Sequence, residues 1–350
     1  MEIFWFFLVI TSPVAVPFLI MIFLEPNGNL LNRCKSTLKL NSQTGLLEQK
    51  LFWLSISIPI CYFLMFGTII WKDYTPDLST TGLNVFISIS KFPLAMLSIA
   101  VPLAVTVASF HSTQQTAEQI SIAMRKSNLE SYYLHRTEFF SYFERYEKAT
   151  YLDCFNANFK INPRLYDNCF KGRPEEGTPE VENDFFVKIE ISFITFEKHI
   201  DATIRGEREP RSIIGHYLIN ACPNLFYLSV AMGLSEIYET LSEKVKLIPV
   251  SLESYEPNEA RLHGTLGDST REAIAAYRYA RDYYDILCKY AGREPYQHTD
   301  TYNYLAWGKH PDLEEGNIEW FHREVAPSMH AHAQILGLKT NTTHFNQTIS

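Results

Sequence analysis

Residues 111–149 read HSTQQTAEQISIAMRKSNLESYYLHRTEFFSYFERYEKA, and this stretch decides the fold. No Gly or Pro occurs from Phe110 to Asn162. Strong helix formers (Gln, Glu, Ala, Arg) dominate the first half. Ile120, Ala123 and Ser127 trace one helical face. Further on, Phe139, Phe143 and Tyr146 trace another at i, i+4, i+7. One continuous helix of about 40 residues would reach about 60 Å at 1.5 Å per residue. Two ordinary helices broken near Asn128 fit the composition equally well.

Upstream, the chemistry changes abruptly. Residues 1–110 hold 6 of the 31 Lys+Arg and 5 of the 39 Asp+Glu, so the charge is concentrated beyond Phe110. The local net charges are +1 and −9, and a single well-mixed globule does not suit such a split. Three uncharged stretches cover 3–24, 51–71 and 92–110. Each is long enough for a hydrocarbon core of about 30 Å. All contain proline (Pro13, Pro17, Pro59, Pro93, Pro102), which membrane helices tolerate better than soluble ones. The first starts Met1-Glu2 with no basic lead and a long apolar core, which disfavours a cleaved signal peptide. It is read as a retained span, or as a re-entrant segment because of its two prolines.

Loop charge sets the orientation. Residues 25–50 carry Arg33, Lys35, Lys39 and Lys50, whereas 72–91 carry only Lys72 and Lys91 at the membrane edges. Basic loops stay in the cytoplasm, so residues 111–350 are expected there, below a multi-pass membrane domain. The sequons at Asn341 and Asn346 are then chance matches. Ala100, Ala104 and Ala108 form a small-residue stripe that packs spans closely, within one chain or in a homo-oligomer. No ionisable group lies inside a span, which speaks against a dedicated ion or proton pathway.

The expected fold class is mainly α: N-terminal transmembrane helices (1–110), a stalk (111–150) and a cytoplasmic helical domain (151–350). Residues 163–184 read as a Pro/Gly-rich acidic surface loop. Residues 183–205 alternate like a strand at Val187, Ile189, Ile191 and Phe193 but also fit a helix, which their length and the Asn183-Asp184 start favour; another helix is expected over 212–247 with an interruption near Pro223. Ser269 and Glu272 form a capping box for a helix ending at Gly292. A last helix covers about 313–336. Five tyrosines (Tyr277, Tyr279, Tyr283, Tyr284, Tyr290) crowd one of these helices, as core and rim or as a docking face.

No Walker A, G-x-G-x-x-G, G-x-S-x-G or H-E-x-x-H pattern occurs. The six cysteines form no C-x-x-C pair and read as reduced thiols. His322, His330 and His332 are a weak metal signal, because i and i+2 do not share a helix face. His298, Asp300 and His310 would meet only through the fold. No catalytic residue, cofactor or metal site is therefore assigned. The net charge of −8 argues against broad nucleic-acid binding, which needs a basic face. On a helix, Tyr132, His135, Arg136, Phe139 and Phe143 share a stripe where polar groups interrupt an aromatic seam. Asn128, Tyr132, His135, Arg136, Glu138 and Phe139 are the candidate coupling residues.

The exit segment SFHSTQQTAEQI (Ser109–Ile120) and the pattern N…YY…HR.EFF..FE (Asn128–Glu144), placed after membrane helices, resemble bacterial abortive-infection proteins. Among these, the resemblance is to transmembrane effectors encoded beside retron reverse transcriptases, and it covers about 50–145. It implies an inner-membrane, toxin-like effector held inactive by a reverse transcriptase–RNA/DNA complex. On phage infection, such an effector damages the membrane and kills the cell. The family pattern has two transmembrane helices where this chain has three apolar stretches. The competing reading is a membrane-tethered enzyme or signalling receptor whose active site lies in the unmatched C-terminal region. A third is a membrane-anchored scaffold.

Overall fold

The computed structural model describes residues 2–24, 29–242, 244–250, 259–314, 316–335 and 339–341. The chain is mainly α and divides into two units, Met1–Lys126 and Ser127–Ser350. The sequon at Asn346 and the Thr-Thr of the sequon at Asn341 lie outside the described residues.

The first unit consists of α1 (Glu2–Phe23), α2 (Leu30–Leu38), α3 (Lys50–Ile70), α4 (Thr80–Ser98) and the beginning of α5 (Ala100–Glu144). Among the described residues, three helical runs are long and apolar enough to cross a membrane: Phe4–Phe23, Lys50–Ile70 and the run that begins at Thr80. Their outward side chains, such as Phe4, Leu64 and Val101, are apolar and uncovered. Water would penalise that surface and hydrocarbon would not.

The first two runs match the expected spans. The third differs, because its helix starts at Thr80 and not at 92. Ser79 caps it, accepting from the Gly82 N–H at 3.1 Å. The run then breaks at Ile99, between α4 and α5. Pro102 accounts for the break: it has no N–H for the Ser98 carbonyl, and its ring crowds that group. In the first turn of α5 the same missing donor costs nothing. From there α5 continues unbroken for 45 residues, so there is one helix here and no break near Asn128.

The second unit takes the last five turns of α5 and builds around them. A hairpin of β1 (Ala149–Tyr151) and β2 (Phe155–Ala157) leads to α6 (Pro163–Cys169). Next come β3 (Phe170–Lys171) and β4 (Glu180–Val181), then α7 (Asn183–Arg205). Residues 163–184 are thus not simply a surface loop. Asn162 caps α6 through the Arg164 N–H at 3.0 Å, with Pro163 at its first position, and Leu165, Tyr166, Cys169 and Phe170 are buried.

After α8 (Pro210–Ile213) the chain widens into a π-helical segment, Ile214–Ala221, before α9 (Cys222–Met232). Pro223 therefore does not interrupt the helix. The wider turn moves the acceptor registry, with the Cys222 N–H reaching the Tyr217 carbonyl five residues back, just ahead of the proline. The real stop is Gly233, in the left-handed region at φ 70°. Beyond it lie α10 (Ser235–Ser242), β5 (Leu247–Val250) and β6 (Glu259–Gly264).

The central helix is α11 (Thr270–Tyr290). Ser269 accepts from the Glu272 N–H at 3.3 Å, as the capping box requires. The Glu272 carboxylate, however, reaches the Asp268 N–H at 3.1 Å and pairs with Lys244. Gly292 adopts φ 66°, and the Arg293 N–H closes back on the Cys288 carbonyl. The described chain ends with α12 (Asn303–Ala306), α13 (Asn317–Trp320), a second π-helical segment (Phe321–Val325), α14 (Ala326–Ile335) and β7 (Lys339–Asn341). Strand β7 pairs in parallel with β6, which is antiparallel to β5.

The core lies where α7, α9 and α11 meet. Tyr277, Tyr279, Tyr283 and Tyr284 are fully buried, which makes them core and not a docking face. Each phenol is satisfied: Tyr277 by Glu197, Tyr279 by the Asn158 carbonyl (2.8 Å), Tyr283 by the Lys160 carbonyl (3.2 Å) and Tyr284 by Glu190 (2.7 Å).

Candidate functional site

The expected coupling residues lie at the C-terminal end of α5, and within the second unit most of them converge. Phe139 is completely buried. Its ring sits 5.1–5.7 Å from Tyr290, Phe143, Tyr166 and Phe170, mostly edge to face. Such pairs add about 0.5–1.5 kcal/mol each beyond area burial. One turn earlier, His135 Nδ1 lies 3.0 Å from the Tyr166 hydroxyl, and the imidazole stands edge-on to Phe170 at 4.8 Å. Burial holds this imidazole below the usual histidine range, so it is neutral at neutral pH and Nδ1 can accept the Tyr166 proton.

Tyr132 extends the same seam, 6.4 Å from the Tyr166 ring. The Arg136 guanidinium sits over the Tyr166 face at 5.4 Å. Asn128 acts apart from the seam. Its amide donates to the Glu175 carbonyl at 2.7 Å and anchors the loop that turns at Gly177. Glu138 points outward and pairs with Arg145 at 3.6 Å, with both side chains largely exposed. Exposed pairs of this kind contribute little.

The α5 seam therefore closes on Tyr166 and Phe170, which sequence reasoning did not select, and on Tyr290, which it singled out only as core, rim or docking face. The first two lie in the stretch expected to be loop. The only signal there was the Asn162-Pro163 helix start. Ala100 is buried, and Ala104 and Ala108 are half-buried, so the small-residue stripe is the less exposed side of the first turns of α5. Beside the seam an open groove of about 810 Å³ is lined by Phe140, Phe143, Tyr146, Phe159, Lys148 and Lys160, among others.

The other titratable groups singled out are dispersed among the described residues. His322 is buried, while His330 and His332 are exposed. His298 contacts Asn303, and His310 faces Asp312, so these two do not meet. His199 and His216 share a 2.9 Å Nδ1···Nδ1 contact between α7 and the first π-helical segment. Glu197 is buried and accepts from Tyr277 and from Tyr296 (3.0 Å), yet burial still raises its pKa. Among the described residues no group of three or more His, Cys, Asp or Glu could hold a metal ion. No family model, curated protein or solved structure matches the chain.

Proposed function

We propose that the chain is a multi-pass effector of bacterial antiviral defence in the inner membrane. A complex of reverse transcriptase, RNA and DNA holds it inactive through the cytoplasmic second unit. Phage infection releases it, and rearrangement or oligomerisation of the spans perturbs the membrane and causes abortive infection. The motif resemblance at Ser109–Ile120 and Asn128–Glu144 supports the class.

The observation that carries the mechanism is α5. One unbroken helix holds apolar, span-like turns at Ala100–Phe110 and, at Phe139 and Phe143, ring contacts in the core of the second unit. A helix without Gly or Pro beyond its first turn transmits displacement without a hinge. The groove beside Phe140 and Phe143 is where a restraining partner would bear on it directly. Inducible expression with a membrane-potential dye tests the reading. Expression without partners should collapse the potential and arrest growth. Ala104→Leu, which puts a bulky side chain on the span-packing stripe, should abolish both effects. Unchanged potential and growth, even during infection, overturn the proposal.

A further inference from the structure

The loop between α3 and α4 is built to higher order than a simple connection needs. Trp71 closes α3, its N–H bonding the Gly67 carbonyl at 2.8 Å, and its ring lies where a Cβ on Gly67 would be. The indole N–H donates to Ser90 Oγ at 2.9 Å. The Tyr74 hydroxyl donates to the Gly82 carbonyl at 2.9 Å. Phe86 stacks at a tilt on both rings, at 5.6 and 5.8 Å. Asp77 accepts from the Ser79 N–H (2.8 Å) and hydroxyl (2.7 Å). Gly82 is required as well, because a Cβ there would collide with the Asp77 carbonyl.

Beside these bonds lies an open surface pocket of about 420 Å³, with Pro76, Asp77 and Leu78 on its exposed rim. Its walls are Trp71, Tyr74, Phe86, Pro76, Leu83 and Leu78, with Asp77 among them. Both aromatic polar tips are already used inside the protein. The pocket therefore offers π faces, aliphatic carbon and one carboxylate. The Ser79 bonds lower that carboxylate's pKa from its ordinary value, which already leaves it ionised at neutral pH, and each oxygen retains a lone pair. Aromatic faces beside a fixed anion select a small cation with an apolar skin. A simple anion is excluded, and a sugar would find too few donors.

We propose that this pocket binds the ammonium headgroup of a membrane aminophospholipid, of the phosphatidylethanolamine class. The commitment to a lipid rests on the reading of α3 as a span: the pocket begins at Trp71, the residue after the apolar run Lys50–Ile70 ends, and so lies at the depth of headgroups. The ammonium would donate to Asp77 while its methylenes lie against Trp71, Tyr74 and Phe86.

The test uses the full chain, purified in detergent, delipidated and then offered deuterated phosphatidylethanolamine or phosphatidylglycerol, with retained lipid read by native mass spectrometry. One phosphatidylethanolamine per chain and no phosphatidylglycerol is the expected result. Asp77→Asn keeps an acceptor for the Ser79 N–H and should lose the bound lipid with its thermal midpoint unchanged. Leu83→Lys, which leaves the cap intact and places a cation at the wall, should lose it too. Equal retention of both lipids, or retention by both variants, overturns the proposal. Displacement of the lipid by free ethanolamine at equal concentration would assign the pocket to a soluble amine and overturn the lipid commitment. Carbonate extraction separates the premises: a chain that leaves the membrane at alkaline pH refutes the span, whereas a membrane-retained chain without the lipid refutes only the pocket.

Discussion

The Tyr290 hydroxyl donates a 2.6 Å hydrogen bond to the backbone carbonyl of His135, joining the last turn of α11 to the middle of the α5 seam across 155 residues of sequence. Removing that hydroxyl isolates the bond from the ring packing around it. Tyr290→Phe keeps the stack on Phe139 and should cost about 0.5–1.5 kcal/mol. Phe139→Ala empties the centre of the seam and should cost about 3–5 kcal/mol. Urea titration of the purified chain measures both. Equal losses would mean that the seam is not organised around Phe139.

His322 predicts an acid-side weakness in the second unit. Its ring is buried against Phe321 and Tyr217, and neither nitrogen has a hydrogen-bond partner among the described residues. Burial, with Lys246 adding to it, lowers its pKa to about 4. The unfolded chain therefore takes up the proton first as pH falls. Stability is complete above about pH 6.5 and declines towards pH 4, by about 3 kcal/mol in all. His322→Phe fills the same space without a titrating group and should flatten the thermal midpoint over that window. A variant as acid-sensitive as the parent would place the weakness elsewhere.

Glu197 has the opposite sign. Its pKa is raised, so its favourable contribution is present below the unfolded carboxylate pKa and is lost as pH rises through the folded value. Glu197→Gln should reduce that loss while keeping polar contact with Tyr277 and Tyr296. Glu197→Ala instead leaves two buried phenols without an acceptor, each costing about 1–3 kcal/mol. Guanidinium melts at pH 4.5 and pH 8 would compare the three chains. Because His322 acts on all three chains alike, the difference between parent and Glu197→Gln is what counts: a Gln variant that gains no stability relative to the parent between pH 4.5 and pH 8 would contradict the assignment.

What could be read from sequence follows how locally each element is determined. Helix α11 was legible because Gly lies only beyond its end and because its Ser269 cap lies within a turn of what it caps, whereas the long helix and α7 stayed open between two readings, since a lack of Gly and Pro permits a continuous helix without requiring one. The break at Ile99 was missed because hydropathy does not register that Pro102 withholds a donor from Ser98. Pro223 misled in the other direction, since a π turn absorbs it without stopping the helix. The strands β5, β6 and β7 are short, and β7 finds its neighbour about 80 residues away, so no local pattern announces them. Half of the seam was visible as Tyr132, His135 and Phe139. The other half, Tyr166, Phe170 and Tyr290, is fixed by contacts 31 to 155 residues distant.

The unbroken course of α5 has a consequence for phase. Each helical residue turns the backbone by about 100° and advances it about 1.5 Å. One alanine added between the exposed residues Glu118 and Gln119 would rotate the Ala100 end against the Phe139 end by about 100° while barely lengthening the rod. Seven added residues would lengthen it by about 10 Å but leave the two faces within about 20° of their original alignment. A signal carried as torque survives the seven-residue insertion and is silenced by the single one. A signal carried as thrust along the axis responds the other way round. Membrane potential measured in cells expressing the two insertions would show whether α5 works as a crankshaft or as a piston.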